Sequence, residues 1–252
     1  MVRWQQLRTK ATETLRSREK SMESQQTRRD FVKTSVFAGA PVALGGSIAA
    51  AIEAGESANP SDMSFFEVVR SRRSVREFQP TPIPEEHLRQ ILDAARMAPT
   101  SGNQQPWKFL VVRDRAVIDG LKESCVKAAM EAREARGMPV SSEVESSVAE
   151  SLQGYFSAPV YIVVLTDGES RYPTYNHWDG PLAAGHLMLA ARALGYGTVF
   201  ITDSIPAAVT KEVLNIPDRY TRVCITPLGV PVEWPDAPPK KELDEFIVLD
   251  RF

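Results

Sequence analysis

Two clusters of polar side chains in this 252-residue chain have the composition and spacing to do chemistry. The first is Ser71-Arg72-Arg73-Ser74-Val75-Arg76-Glu77-Phe78, which packs three guanidinium groups into five residues. A solvated surface has little need of so much charge. Arginine forks grip phosphate through paired hydrogen bonds in a geometry that lysine cannot copy. The second cluster is Ala98-Pro99-Thr100-Ser101-Gly102-Asn103-Gln104-Gln105-Pro106-Trp107. It is a run of hydroxyls and amides whose backbone path is set by Gly102 and two prolines, and such a loop can line a polar ring system with donors and acceptors. Taken singly, each has a plainer reading: the arginines as a salt-bridge patch, Asn103 as a turn cap. As a pair at this separation they are far more specific than either alone.

Other chemistries are disfavoured. No Gly-x-Gly-x-x-Gly follows the first expected strand, and there is no Walker A loop, Gly-x-Ser-x-Gly elbow or His-Glu-x-x-His pair. Two cysteines and three histidines cannot build a zinc ribbon or a disulfide-dense scaffold. A net charge of −2 lacks the basic excess of a nucleic-acid binder. Cys125 and Cys224 read as buried thiols, with a disulfide as the alternative. His87 reads as an exposed helix residue, His186 as packed or at an interface, His177 as structural, and Trp107 as a core anchor.

The elements that must position the two clusters follow from periodicity. Ser64–Ser71 and Glu85–Met97 are predicted helices, the second with Leu88, Ile91, Leu92 and Ala95 on one face. Trp107–Arg113 is a strand, Asp114–Arg136 and Ser141–Phe156 are helices, and Pro159–Thr166 is a strand buried on both faces. Gly180–Leu194 is a helix with apolar residues nearly all round, which places it centrally or against a partner subunit. Thr198–Thr202 and Arg222–Pro227 are further strands, and Pro235–Phe252 is a tail that starts Pro-rich and ends extended. The chain therefore reads as residues 1–54, a small-residue linker over 55–63, and one domain over 64–252.

The two clusters together resemble the nitroreductase family of FMN flavoproteins. The likeness continues through Asp179-Gly180, Ala193-Leu194-Gly195-Tyr196-Gly197 and Pro227-Leu228-Gly229, and it spans about Phe65 to Phe252. The resemblance implies an α+β fold, a three-layer α/β/α sandwich around a mixed, mainly antiparallel sheet, with C-terminal segments exchanged in a homodimer. It implies that Arg72, with Arg73 beside it, holds the FMN phosphate end, that Ser74 makes a ribityl or phosphate contact, and that Arg76 lies near N1 and O2 of the flavin. It further implies that Asn103, with Ser101 on the same loop, meets the isoalloxazine edge. Thr202-Asp203-Ser204 offers a backbone N–H to N5, and Lys240 or Lys241 closes on the phosphate. No side chain is assigned as a catalytic acid or base, and no metal is expected. The implied activity is ping-pong transfer from NAD(P)H or another reductant to a nitroaromatic, quinone or similar small acceptor. A deiodinase-type reductive dehalogenase is the nearest alternative, weakened by Ala132 where that type carries a lid tyrosine. A flavin-consuming enzyme of the cobalamin-ring type and a non-catalytic envelope flavin carrier are the others.

The head of the chain has its own reading. Residues 1–33 hold nine basic and four acidic side chains, a net +5 that leaves −7 on the remainder. Thr27-Arg28-Arg29-Asp30-Phe31-Val32-Lys33 resembles the twin-arginine export motif, and the uncharged stretch Thr34–Ile52 is too weakly apolar for a spanning helix. The expectation is a bacterial protein exported folded, through the twin-arginine machinery, to the periplasm or another extracytoplasmic site. An uncleaved anchor and a disordered basic tail are the alternatives, and Met22 is a second candidate start. NAD(P)H is scarce in such a compartment, which leaves the electron donor open.

Overall fold

The structure is a computed structural model, and it describes residues 63–252. The expected signal region 1–54 and all of the linker but its last residue lie outside the described residues. The first helix, α1 (Phe65–Ser71), is opened by a capping box: Ser64 Oγ accepts from the Glu67 N–H at 3.3 Å, and the Ser64 N–H donates to Glu67 Oε2 at 2.7 Å. Its C-terminal cap is Arg72, whose extended backbone ends the helix and starts the segment carrying the arginines.

Then come α2 (Glu85–Arg96), β1 (Trp107–Val112), α3 (Arg115–Glu134), α4 (Ser142–Gln153), β2 (Val160–Asp167), α5 (Asn176–Ala193), β3 (Gly197–Thr198), α6 (Ala207–Val213) and β4 (Tyr220–Gly229). The four strands pair antiparallel in the order β1-β2-β4-β3. Ser74 adds an isolated parallel bridge to Thr198 at the β3 edge. β2 is buried on both faces, as its continuous apolar run predicts, and its side chains alternate between two cores. Tyr161, Val163 and Leu165 pack with Ile118 and Leu121 of α3, and with Val209 and Val213 of α6. Val160, Ile162 and Val164 pack with Leu88 and Ile91 of α2 and with Ala184 and Leu187 of α5. This is the expected three-layer α/β/α sandwich.

Three elements depart from their predicted form. α5 begins at Asn176, about one turn before Gly180, and carries Pro181 within it. Asn176 Nδ2 donates to the Asp167 carbonyl at 2.8 Å, a tether to β2 that holds this early turn in place. Gly180 marks close packing instead of a helix start: a Cβ there would lie 2.4 Å from Val223 Cγ2 and 2.9 Å from Thr166 Cγ2. Within one chain α5 leaves Leu182 44% exposed, so of the two expected placements the wholly central one does not hold. The strand expected over Thr198–Thr202 is cut to two residues plus a bridge from Ile201 to Ile225. α6 was not expected, its seven residues being too short for a periodic signal.

Candidate functional site

The arginine segment runs along the β3 edge of the sheet. The Val75 N–H donates to the Thr198 carbonyl at 3.0 Å, and the Gln79 N–H to the Val230 carbonyl at 2.8 Å. Gly197 allows this approach, because a Cβ on it would stand 2.7 Å from Val75 Cβ. Arg73 folds back, donating from Nη1 to the carbonyls of Arg70 (2.7 Å) and Arg72 (2.9 Å), while its Nε is buried with no hydrogen-bond partner. Arg192, near the end of α5, donates from Nε to Ser71 Oγ at 3.0 Å and lies 4.0 Å over the Trp234 ring. Burial, and then the charge of Arg73, hold the Arg192 pKa below the usual guanidinium value. Among the described residues none of Arg72, Arg73 or Arg192 is in a salt bridge with a carboxylate. Like charges gathered without a counter-ion, one with an orphaned buried N–H, fit an anionic ligand such as a phosphate monoester. Arg192 was missed at the sequence level, although it is the only permanently charged residue in Gly180–Leu194.

Arg76 is engaged by a different partner. Its Nε donates to Tyr155 Oη at 3.1 Å, its Nη1 to the Ser74 carbonyl at 3.3 Å, and its guanidinium carbon lies 5.9 Å from the Tyr155 ring centre. Thr202, Asp203 and Ser204 form an exposed bend just beyond β3 and the Ile201–Ile225 bridge. A residue overlooked in the sequence fixes that bend: Arg222 of β4 donates from Nη1 to the Ile205 carbonyl (2.6 Å) and Thr210 Oγ1 (2.8 Å), and from Nη2 to the Thr202 carbonyl. Its signal is the one charge inside an otherwise uncharged strand. Burial is the main cause that lowers its pKa.

The second cluster is anchored at the other end of α5. Ser101 to Asn103 form one turn of 3-10 helix, with Gly102 at φ +56°, Asn103 at +53° and Gln105 at +48°. The buried Asp179 carboxylate accepts from the Ser101 N–H (3.1 Å) and from Gln104 Nε2 (2.7 Å). Gln104 also donates to the Tyr172 carbonyl at 3.1 Å, and its Oε1 accepts from the Tyr172 N–H at 2.7 Å. This leaves Asn103 exposed, its Oδ1 held 3.2 Å from Gln105 Nε2. Arg192 and Asp179 are thirteen residues apart on one helix, so their anchors are separated by about 20 Å along its axis. The structure therefore places Arg72, Arg73 and Ser74 by the end of α5 that carries Arg192, sets Arg76 against Tyr155, and leaves Ser101 and Asn103 by the other end of α5, where Asn176 and Pro181 share a cleft with Arg222, the residue that holds the 202–204 bend. Lys240 and Lys241 are in the exposed tail, where Lys241 Nζ is 3.6 Å from Glu245 Oε2.

Next to the 202–204 bend is a cleft of about 540 Å3, lined among others by Asn176, His177, Pro181, Phe200, Arg222 and Val223. A larger groove of about 780 Å3 lies between α2 and Phe109, far in character from either cluster, with a lining of mixed charge. His87 is half-buried, not exposed as expected, because its Nδ1 is 2.7 Å from the Tyr196 hydroxyl. His186 is packed, with Nδ1 3.3 Å from the Ala94 carbonyl. Trp107 is half-buried and stacks on Phe109 instead of anchoring the core. Cys125 and Cys224 are buried free thiols.

Comparison with known proteins agrees with this fold and with the motifs on it. A relative from Archaeoglobus fulgidus, provisionally named NADH dehydrogenase/NAD(P)H nitroreductase, is 31% identical over 193 residues, covering 74% of this chain and 92% of its own. The 5,6-dimethylbenzimidazole synthase of Rhodobacter capsulatus is 34% identical over 190 residues, 69% of this chain and 87% of its own. The crystal structure of an oxidised iodotyrosine deiodinase bound to FMN and 3-iodo-L-tyrosine matches with a TM-score of 0.61 at 24% identity, covering 75% of this chain and 100% of that one. The pattern of the nitroreductase family matches residues 69–230, and the chain belongs to that family.

Proposed function

We propose that this protein is an FMN-dependent oxidoreductase that passes electrons from NAD(P)H or another reductant to a small acceptor such as a nitroaromatic or a quinone. The observation that carries this reading is the arginine group at the end of α1, unpaired with any described carboxylate and holding the orphaned Arg73 Nε. It suits the phosphate of FMN. Arg72, Arg73 and Arg192 would hold that phosphate, with Ser74 beside it and Lys240 or Lys241 closing over it. Arg76 would face the N1–C2=O edge, and the Thr202-Asp203-Ser204 backbone would face N5. When bound, FMN supplies hydride acceptance and donation at N5, with a negative charge spread over N1–C2=O in its reduced form. The protein's part is to orient the ring, stabilise that charge and offer an adjoining cleft to the acceptor.

One chain does not complete this site. The Ser101–Asn103 loop, about 20 Å along α5 from the arginines, would serve the flavin of a second copy. A homodimer suits two further features: β1 is an edge strand among the described residues, and the tail exposes Leu243, Phe246 and Leu249. An exchanged tail would bury these side chains and bring Lys240 and Lys241 to the partner's phosphate. The twin-arginine motif at Arg28-Arg29 supports export of the folded, flavin-loaded protein to the periplasm, with cleavage before the domain at 64–252.

The test is spectroscopic. Purified full-length protein, supplied with FMN, should show a bound flavin spectrum that bleaches anaerobically with a donor and recovers with a nitroaromatic or quinone. A preparation that takes up no FMN sinks the reading, and flavin that binds but never turns over would favour a carrier.

A further inference from the structure

The turn that closes the α3–α4 excursion is clasped to the arginine segment at several points. Gly154 lies so close that a Cβ on it would come within 2.8 Å of the Arg76 carbonyl. Ser157 Oγ accepts from the Phe78 N–H at 3.0 Å and donates to the Gly154 carbonyl at 2.8 Å. The hydroxyl of Tyr161, whose ring is fully buried on β2, donates to the Tyr155 carbonyl at 2.5 Å. Tyr155 is thus fixed from the core outward. Its phenol oxygen, in turn, accepts from Arg76 Nε at 3.1 Å, and its ring lies 5.9 Å from the guanidinium carbon.

We propose that Tyr155 is a positioning residue for Arg76, holding its guanidinium in the one orientation from which it stabilises the charge of reduced FMN. The inference rests on the flavin reading above. Arg76 is exposed, and an exposed arginine is free to move among many rotamers. A cation held in place before charge develops stabilises it more than one that must be reoriented from water. Tyr155 supplies two restraints of different kinds, a hydrogen bond in the guanidinium plane and an aromatic ring nearby. The Ser74 carbonyl, 3.3 Å from Nη1, supplies a third. Tyr155 itself needs no contact with the flavin, so its effect is on the difference between reduced and oxidised states.

The experiment compares the affinities of the full chain for oxidised and for reduced FMN, together with the midpoint potential of the bound flavin. Tyr155→Phe keeps the ring and removes the hydroxyl. It should leave affinity for oxidised FMN within twofold and lower the preference for reduced FMN by about fivefold, the effect of one hydrogen bond to a charged group lost at a partly exposed site. Tyr155→Leu, which removes the ring as well, should lower it at least as far. In an Arg76→Gln background, Tyr155→Phe should change nothing further, because the group it positions is gone. An unchanged preference in both Tyr155 variants overturns the proposal, as does an equal drop in the Arg76→Gln background. A wild-type chain that binds no FMN removes the flavin reading itself, which is a different result from wild-type binding with Tyr155 silent.

Discussion

At the scale of single residues, the arginines carry the most direct expectation. Arg73 combines an orphaned Nε with an Nη1 turned onto the Arg70 and Arg72 carbonyls, so its side chain is held in a set shape. Arg73→Ala should weaken FMN binding by about 1.5–3 kcal/mol, roughly tenfold to a hundredfold. A fluorescence titration checks it, and unchanged affinity would take Arg73 out of the site. The thiols give a second expectation. Burial pushes Cys125 up to about 11 and Cys224 up to about 12, from an ordinary value of 9.0. Above that ordinary value the unfolded chain releases both protons while the folded chain keeps them. Their contribution to stability is therefore full below about pH 9 and declines as pH rises toward the folded values. The thermal midpoint should fall more steeply above pH 9 in wild type than in a Cys125→Ala/Cys224→Ala variant. Parallel curves would mean that other groups govern the alkaline transition.

At the scale of elements, α5 organises the molecule, touching β2 and β4 along its length and meeting one cluster at each end. Gly180 sets its depth against the sheet. Gly180→Ala forces a methyl group into Val223 and Thr166, and should destabilise the fold by about 1–3 kcal/mol in urea denaturation. A neutral result would mean that the helix can slide. Asp179 is the hinge pin of the polar loop, buried and accepting from Ser101 and Gln104. Asp179→Ala leaves those two donors without their acceptor and should cost about 1–3 kcal/mol. Hydrogen exchange should quicken at the Ser101 amide, and protection equal to wild type there would show that the loop stands without Asp179. The cluster at 98–107 was readable as a polar loop because its residue types are those of turns. That Gln104 faces inward while Asn103 and Gln105 take positive φ was not readable, since neighbouring amides look alike in a string.

For the whole molecule, the tail and the free β1 edge are complementary features of a single chain. Both leave apolar or hydrogen-bonding surface without a partner among the described residues. If the proposed dimer forms through its tails, deleting residues 235–252 should leave a monomer in sedimentation velocity and lower FMN retention with it. A truncated chain that is dimeric and yellow would overturn the proposed exchange. The N-terminal expectation belongs to this scale too, because a twin-arginine signal acts on the finished fold. Replacing Arg28 and Arg29 by lysines should leave precursor in the cytoplasm, and undiminished export would assign the targeting elsewhere.

Local chemistry was enough to mark the arginine segment, the polar loop and the doubly buried strand, because each depends on residue types close together in the chain: guanidinium density, turn formers, an unbroken apolar run. The partition of β2 side chains between two cores follows from the same short-range alternation. What required three dimensions was distance. Only the folded chain shows that one 18-residue helix separates the two clusters, that Arg192 joins the first and Asp179 the second, and that Tyr155, 79 positions from Arg76, comes to rest against it. Contacts across such separations are decided by how helices settle on the sheet, and no nearest-neighbour pattern encodes them.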